Sequence, residues 1–201
     1  MNIKNILEST EKYLKKHNVS QPRLDAEVLL ADLLDMERIK LYVNYDYPLK
    51  GEELDQYRER IKKRAEHQPV EYITGKKEFM SIELEVNNNV LLPRPETELL
   101  VEEIIDICRE KDLDEPNIVD VGTGSGAIMV SLGRTIPGAK ILGIDISEDV
   151  MEVARKNINK YDLSDRLKVI KGDLLKPLLE RGKTNVDIVI SNPPYIKKEE
   201  M

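Results

Sequence analysis

Asn117-Ile118-Val119-Asp120-Val121-Gly122-Thr123-Gly124-Ser125-Gly126 runs directly into Ala127-Ile128-Met129-Val130-Ser131-Leu132. The pattern is a short apolar strand, a glycine loop and a helix. Glycines permit a tight turn and close backbone approach to a ligand. The helix that follows offers unpaired N–H groups to a polar ligand. Three further apolar runs repeat the theme downstream. Lys140-Ile141-Leu142-Gly143-Ile144-Asp145 ends in a carboxylate, Leu167-Lys168-Val169-Ile170 leads to Gly172-Asp173, and Val186-Asp187-Ile188-Val189-Ile190-Ser191 leads to Asn192. Strands alternating with helices predict an α/β domain with a parallel sheet. Ligands of such open sheets lie outside the carboxyl ends of the strands, which is where all four special positions fall.

The glycine loop alone leaves the ligand open. Gly122, Gly124 and Ala127 also satisfy the G-x-G-x-x-G/A spacing of a dinucleotide site. Asp145, about 20 positions past the glycines, stands where such folds hold a ribose diol. Asp120 is different, since a carboxylate at the end of the first strand opposes a pyrophosphate but can hold an ammonium. The acidic set Asp120, Asp145 and Asp173 therefore favours S-adenosylmethionine, which carries an ammonium, a sulfonium and a ribose and no phosphate. Helix capping is the alternative role for each of these strand-end carboxylates.

Asn192-Pro193-Pro194-Tyr195 closes the fourth strand with a stiff corner. Each proline fixes its own φ and lacks an N–H, and the residue before each is pushed toward extended geometry. Carbonyl oxygens, an Asn side chain and an aromatic ring are thereby displayed together. Two acceptors and a flat face suit a planar amide or amine, although Asn-Pro is also an ordinary turn signal.

Taken together, these segments resemble a class I methyltransferase of the HemK type, the peptide chain release factor glutamine methyltransferases. Tyr72-Ile73-Thr74-Gly75 with Glu78-Phe79, and Leu91-Leu92-Pro93-Arg94-Pro95-Glu96-Thr97-Glu98, extend the resemblance over nearly the whole chain. It implies that Gly122, Thr123, Gly124, Ser125 and Gly126 contact S-adenosylmethionine, that Asp145 holds its ribose, and that Asp173 and Leu174 lie beside the adenine. Many relatives carry an aromatic at the position of Leu174. Asn192, Pro193, Pro194 and Tyr195 would bind the substrate glutamine, with Arg94 bordering the cleft, and Asn192 would also contact the cofactor. Asn192, Pro193 and Tyr195 are the expected catalytic residues: the Asn192 side-chain oxygen and the Pro193 carbonyl accept the two amide hydrogens, and Tyr195 packs on the amide plane. The expected substrate is the glutamine of the Gly-Gly-Gln motif of release factors, and the product of the donor is S-adenosylhomocysteine.

Composition narrows the classes. The chain has 201 residues, a formal charge of −7, 40% hydrophobic and 34% charged residues. That supports a core and a well-solvated surface, and argues against a broad nucleic-acid face. The single cysteine, Cys108, excludes an internal disulfide and reads as a core thiol. With His17 and His67 in polar helical stretches, no metal-ligand pattern forms. No apolar run approaches membrane-spanning length and no signal peptide is visible, so the cytoplasm is the expected location.

The predicted organisation is a helical bundle over residues 1–67, a connector with short strands over 68–95, and a Rossmann-like methyltransferase domain over 96–201. Helices are expected over Asn5 to His17, from an N-cap at Ser20 with Pro22 in the first turn, and over Glu52 to His67. Two more are expected over Glu96 to Glu110, with Leu99, Leu100, Ile104 and Ile107 inward, and over Glu148 to Tyr161 behind a Ser147 cap. A hairpin is expected to pair Glu78–Leu84 with Val90–Leu92. The catalytic domain is expected to stop after its fourth strand, leaving these 201 residues poorly active by themselves. Rival readings are an enzyme for a ribosomal-protein glutamine or for the adenine amine of nucleic acid, a non-catalytic release-factor-binding module, and a nicotinamide dehydrogenase.

Overall fold

The computed structural model describes residues 1–180, 182 and 185–193 of the chain. It divides into two compact units, Met1–Gly75 and Lys76–Met201.

The first unit is helical: α1 (Ile3–Lys16), α2 (Pro22–Leu33), α3 (Arg38–Val43), α4 (Gly51–Ala65) and α5 (Val70–Thr74). Asn2 caps α1 by accepting the Asn5 N–H at 3.0 Å, and Lys15 and Lys16 in its last turn complement the helix dipole. The N-cap of α2 is Gln21, without a side-chain cap bond, and not Ser20. Pro22 is the reason: it has no N–H to satisfy and its fixed φ starts the helix at once. Ile3, Leu7 and Leu14 of α1, Leu29 and Leu30 of α2, Leu41 of α3 and Tyr57 of α4 are fully buried together. The Tyr57 hydroxyl donates to the Ala26 carbonyl at 2.9 Å. Two acids of α2 are buried and both are paired, as burial of charge demands. Arg64 Nε reaches Asp25 at 2.7 Å, and Glu27 accepts from Arg23 Nε at 2.6 Å and from the Tyr42 hydroxyl at 2.5 Å. α5, a single turn and a half ended by Gly75 in the left-handed region at φ 76°, lies in the stretch expected to be connector.

The second unit opens with β1 (Lys76–Phe79) and β2 (Ile82–Glu85), paired antiparallel with Phe79 opposite Ile82. The hairpin expected between Glu78–Leu84 and Val90–Leu92 is therefore placed differently. Met80 and Ser81 form the turn with φ of 49° and 57°. Both central residues have positive φ, the condition of the tight hairpin turn that usually carries Asn-Gly. Without that signal, the apolar residues Phe79, Ile82 and Leu84 read as one strand. Glu98 accepts the Met80 N–H at 2.7 Å and pins the turn.

Next come α6 (Pro95–Glu110), β3 (Asn117–Val121), α7 (Ala127–Thr135), β4 (Lys140–Asp145), α8 (Glu148–Lys160), β5 (Leu167–Lys171), α9 (Lys176–Glu180) and β6 (Ile188–Ser191). On α6 the buried face is Thr97, Val101, Ile104, Ile105 and Cys108, whereas Leu99 is exposed and Leu100 and Ile107 are only half-buried. The apolar stripe is thus turned from the one expected, because Thr97 takes an inward position. Among the described residues, β3 to β6 form a four-stranded parallel sheet in the order β5-β4-β3-β6. One face packs Ile118, Ile141, Leu167 and Ile190 against α6, α7 and α8 residues such as Ile104, Met129 and Ile158. On the other face Val119, Val121 and Ile144 meet Leu178 of α9. The strand order reverses about β3, so a crevice opens above the ends of β3, β4 and β6. Among the described residues, no helix is long and apolar enough to cross a membrane.

Candidate active site

The loop after β3 is built for backbone contact. Gly122, Gly124 and Gly126 have φ of 74°, 56° and 79°, a region that disfavours other residues, and a Cβ on Gly122 would meet nothing within 4 Å. The loop is therefore bare by conformation and open above. Gly122 N donates to the Ile144 carbonyl at 2.8 Å and Gly124 N to Asp145 Oδ2 at 3.2 Å, which joins the loop to the end of β4. Asp145 Oδ1 accepts from Ser147 N at 3.2 Å. Ser147 is the N-cap residue of α8, but its side chain makes no cap bond; the Asp145 carboxylate serves its backbone instead. The Asp145 carbonyl takes the Gly172 N–H at 2.9 Å, which fixes the end of β5 alongside.

Asp120 sits under the loop, fully buried. Opposite it in β4 is Gly143, where a Cβ would lie 2.9 Å from Thr123 Oγ1 and 3.0 Å from Met129 Sδ. The glycine thus makes room for the Thr123 side chain, whose hydroxyl donates to Asp120 Oδ2 at 2.8 Å. Asp120 Oδ1 is buried with no hydrogen-bond partner among the described residues. Burial pushes its pKa up to about 6, the Thr123 hydrogen bond offsets part of that rise, and the nearby Asp145 charge adds to it. Between about pH 4 and pH 6 the folded state binds the extra proton and the unfolded chain does not, so Asp120 stabilises the fold at low pH. That contribution is lost as pH rises through about 6, and amounts to about 3 kcal/mol over the window. Asp120→Asn is expected to remove this fall. Urea unfolding of parent and variant without ligand, at pH 4.5 and pH 7.5, checks it; equal slopes in the two proteins would count against a buried, proton-binding Asp120.

Asn192 lies at the end of β6, beside this loop. β6 pairs with β3 so that Ser191 faces Val121, and the Ser191 hydroxyl donates to the Val121 carbonyl at 2.9 Å. The next residues on the two strands are Asn192 and Gly122, which brings two motifs of the sequence together. The Asn192 carboxamide donates through Nδ2 to Thr97 Oγ1 at 2.7 Å. A third motif enters through that bond: Arg94 is the N-cap of α6, and its carbonyl accepts the Thr97 N–H at 2.9 Å. The Arg94 side chain is exposed, as is Pro193. Pro194 and Tyr195 lie outside the described residues.

The remaining predicted positions are at the rim. Asp173 is exposed and its carboxylate is bound by Lys176 one helical turn on, an exposed pair of little energetic consequence. Leu174 is exposed at φ 50°. Ile146, directly after Asp145, is exposed too. Ile146 and Leu174 thus project from the ends of neighbouring strands as two apolar side chains. Sequence reasoning passed over Ile146, Thr97 and Asn157. Asn157 is fully buried and donates to the Glu85 and Ser125 carbonyls, each at 2.9 Å, while its Oδ1 accepts the Glu85 N–H at 2.7 Å. It pins the glycine loop to the hairpin. A polar residue on the apolar side of α8 was the one available signal.

The fold and this crevice define a Rossmann-like methyltransferase domain, and residues 113–198 match the family model described as Methyltransferase domain. Residues 5–75 match the PrmC N-terminal domain. The release factor glutamine methyltransferase of Rhodopirellula baltica is 40% identical over 197 residues, covering 97% of this chain and 66% of the relative. That of Clostridium acetobutylicum is 38% identical over 201 residues, covering 100% of this chain and 70% of the relative. The chain belongs to the release factor glutamine methyltransferase family. It spans about two thirds of the length of these curated relatives. Among solved structures, the N-terminal domain of human METTL16 in complex with SAH is similar with a TM-score of 0.48 and 27% identity, covering 57% of this chain and 47% of that one.

Proposed function

We propose that this chain acts in the transfer of a methyl group from S-adenosylmethionine to the side-chain amide nitrogen of the glutamine in the Gly-Gly-Gln motif of peptide chain release factors. The observation that carries the reading is the Asn192 carboxamide, held at the end of β6 next to the glycine loop that ends β3. The names of the relatives and the family membership support the choice of substrate.

The residues present fit the donor. Asp120 Oδ1 is a buried acceptor without a partner among the described residues, which suits an ammonium. Asp145 is the proposed partner of the ribose hydroxyls, Gly122 to Gly126 of the methionine portion, and Ile146 and Leu174 of the adenine faces. When bound, S-adenosylmethionine supplies a methyl group on a sulfonium, an electrophile that departs as a neutral thioether.

The chain's own task is to prepare a poor nucleophile. An amide nitrogen shares its lone pair with its carbonyl. Asn192 Oδ1 and the Pro193 carbonyl are the proposed acceptors for its two N–H bonds, fixing the nitrogen and stabilising the positive charge that grows on it. Tyr195 is the proposed cover for the amide plane. No base is needed before transfer, because the nitrogen can release its proton to solvent afterwards. The helical unit Met1–Gly75 is the proposed docking part for the release factor, and the proposed setting is the cytoplasm.

The test is direct. The full-length protein is incubated with a release factor and a methyl-labelled donor, and the tryptic peptide carrying Gly-Gly-Gln is examined by mass spectrometry. One added methyl on that glutamine is expected. Label found only on another protein or on nucleic acid would overturn the reading.

A further inference from the structure

We infer that the groove between α1 and α4 of the helical unit takes an acidic segment of the protein substrate that carries one large apolar side chain. The inference rests on the proposed docking role of this unit and deepens it. The groove encloses about 420 Å³. Ile6, Thr10, Tyr57 and Ile61, all buried, form its floor. Tyr13 stands on one wall, and Arg58 and Lys62 stand on the other. Tyr57 offers the groove its ring, because its hydroxyl is taken up by the Ala26 carbonyl at 2.9 Å. A floor of two isoleucines and a tyrosine ring calls for an apolar side chain, and the space suits a leucine or an aromatic ring.

The rim adds the charge. Arg58 and Lys62 are four residues apart on α4 and so are neighbours on one face. Arg58 holds Asp55 at 3.1 Å in an exposed pair of little strength, and Lys62 makes no ion pair among the described residues. A chain of net charge −7 thus keeps two cations beside an apolar cavity that no carboxylate lines among the described residues. Across from them Tyr13 is 42% exposed, with its ring 4.5 Å from that of His17. An exposed tyrosine held by a neighbour, facing an arginine across a pocket, has the composition of a protein-binding hot spot. Carboxylates on either side of an apolar anchor would meet Arg58 and Lys62 while the anchor fills the floor. A single glutamine side chain offers few contacts of its own, and binding energy from remote parts of a substrate supports the step at its reacting group. The groove supplies such a remote contact.

The experiment uses the full-length protein and a release factor, with the Kd of the release factor read by calorimetry and kcat and KM read from its methylation. Arg58→Glu/Lys62→Glu is expected to raise Kd and KM about tenfold, the loss falling on KM rather than kcat. Tyr13→Ala, which trims the opposite wall at an exposed place, is expected to raise both about fivefold. Lys4→Glu/Lys63→Glu makes the same change of charge on exposed residues outside the groove and is expected to stay within about twofold of the parent. If the groove reversal fails to fold, Arg58→Gln/Lys62→Gln takes its place. An equal rise in both double variants overturns the inference, since the general field of the unit would then explain it. A parental Kd in Arg58→Glu/Lys62→Glu overturns it and leaves the proposed function standing. Loss of self-association in sedimentation, with the release factor Kd unchanged, overturns it in favour of a second copy of this chain. A parent that binds the release factor without methylating its Gly-Gly-Gln glutamine removes the proposed function, while the Kd values still decide the groove.

Discussion

Asn192→Ala is expected to lower turnover about 1000-fold, the scale on which loss of one preorganised hydrogen-bonding group at a reacting centre acts. The substitution removes the acceptor that the proposed mechanism aims at the substrate amide. It leaves the glycine loop, Asp145 and Asp120 in place, because those stand on β3 and β4 and are bonded to one another. Donor affinity should therefore change by less than about threefold, and the loss should fall on kcat. Steady-state methylation of a release factor, with donor binding followed by calorimetry, reads both quantities. Retention of parental turnover would detach Asn192 from the chemistry; an equal collapse of donor affinity would make it part of the donor site instead.

Asn157→Ala is expected to destabilise the second unit by about 2–3 kcal/mol, since three hydrogen bonds of a fully buried carboxamide are lost, the one to Ser125 buried and the two to Glu85 partly so. The Ser125 carbonyl and both backbone groups of Glu85 are left without their partner. Ser125 is in the middle of the glycine loop, so affinity for the proposed donor should fall as well, although Asn157 is itself fully buried. Equilibrium unfolding in urea gives the first number and calorimetry the direction of the second. A loss below about 1 kcal/mol would show that the loop does not depend on this residue.

What could be read from the sequence was local, and what could not be read was remote. β3, its glycine loop and α7 are encoded by consecutive residues, and the apolar runs of β4, β5 and β6 each announce a strand by themselves. The corner at Asn192 is visible because proline restricts itself and its neighbour. Thr97 and Asn157 are different. Thr97 gains its meaning from an Asn 95 residues away, and Asn157 from a backbone 72 residues away. Nothing in their own neighbourhoods specifies either bond. The turn at Met80-Ser81 was missed for another reason: a positive φ without glycine is held by tertiary contacts, here the Glu98 carboxylate on the Met80 N–H. The stripe on α6 was misjudged for the same cause as Thr97, because a buried hydroxyl took the place an aliphatic side chain was expected to fill.

The pairing of β6 with β3 has a consequence for biosynthesis. β3, β4 and β5 are consecutive along the chain, and the bonds that unite Gly122, Gly124, Asp145 and Gly172 need no residue beyond Gly172. β6 must instead span some 70 positions to find Val121. On the ribosome, where domains assemble from the N-terminal side, the loop that joins β3 to β4 and β5 can be finished before β6 brings Asn192 to it. A nascent chain would thus close the loop proposed for the donor before the corner proposed for the substrate arrives beside it.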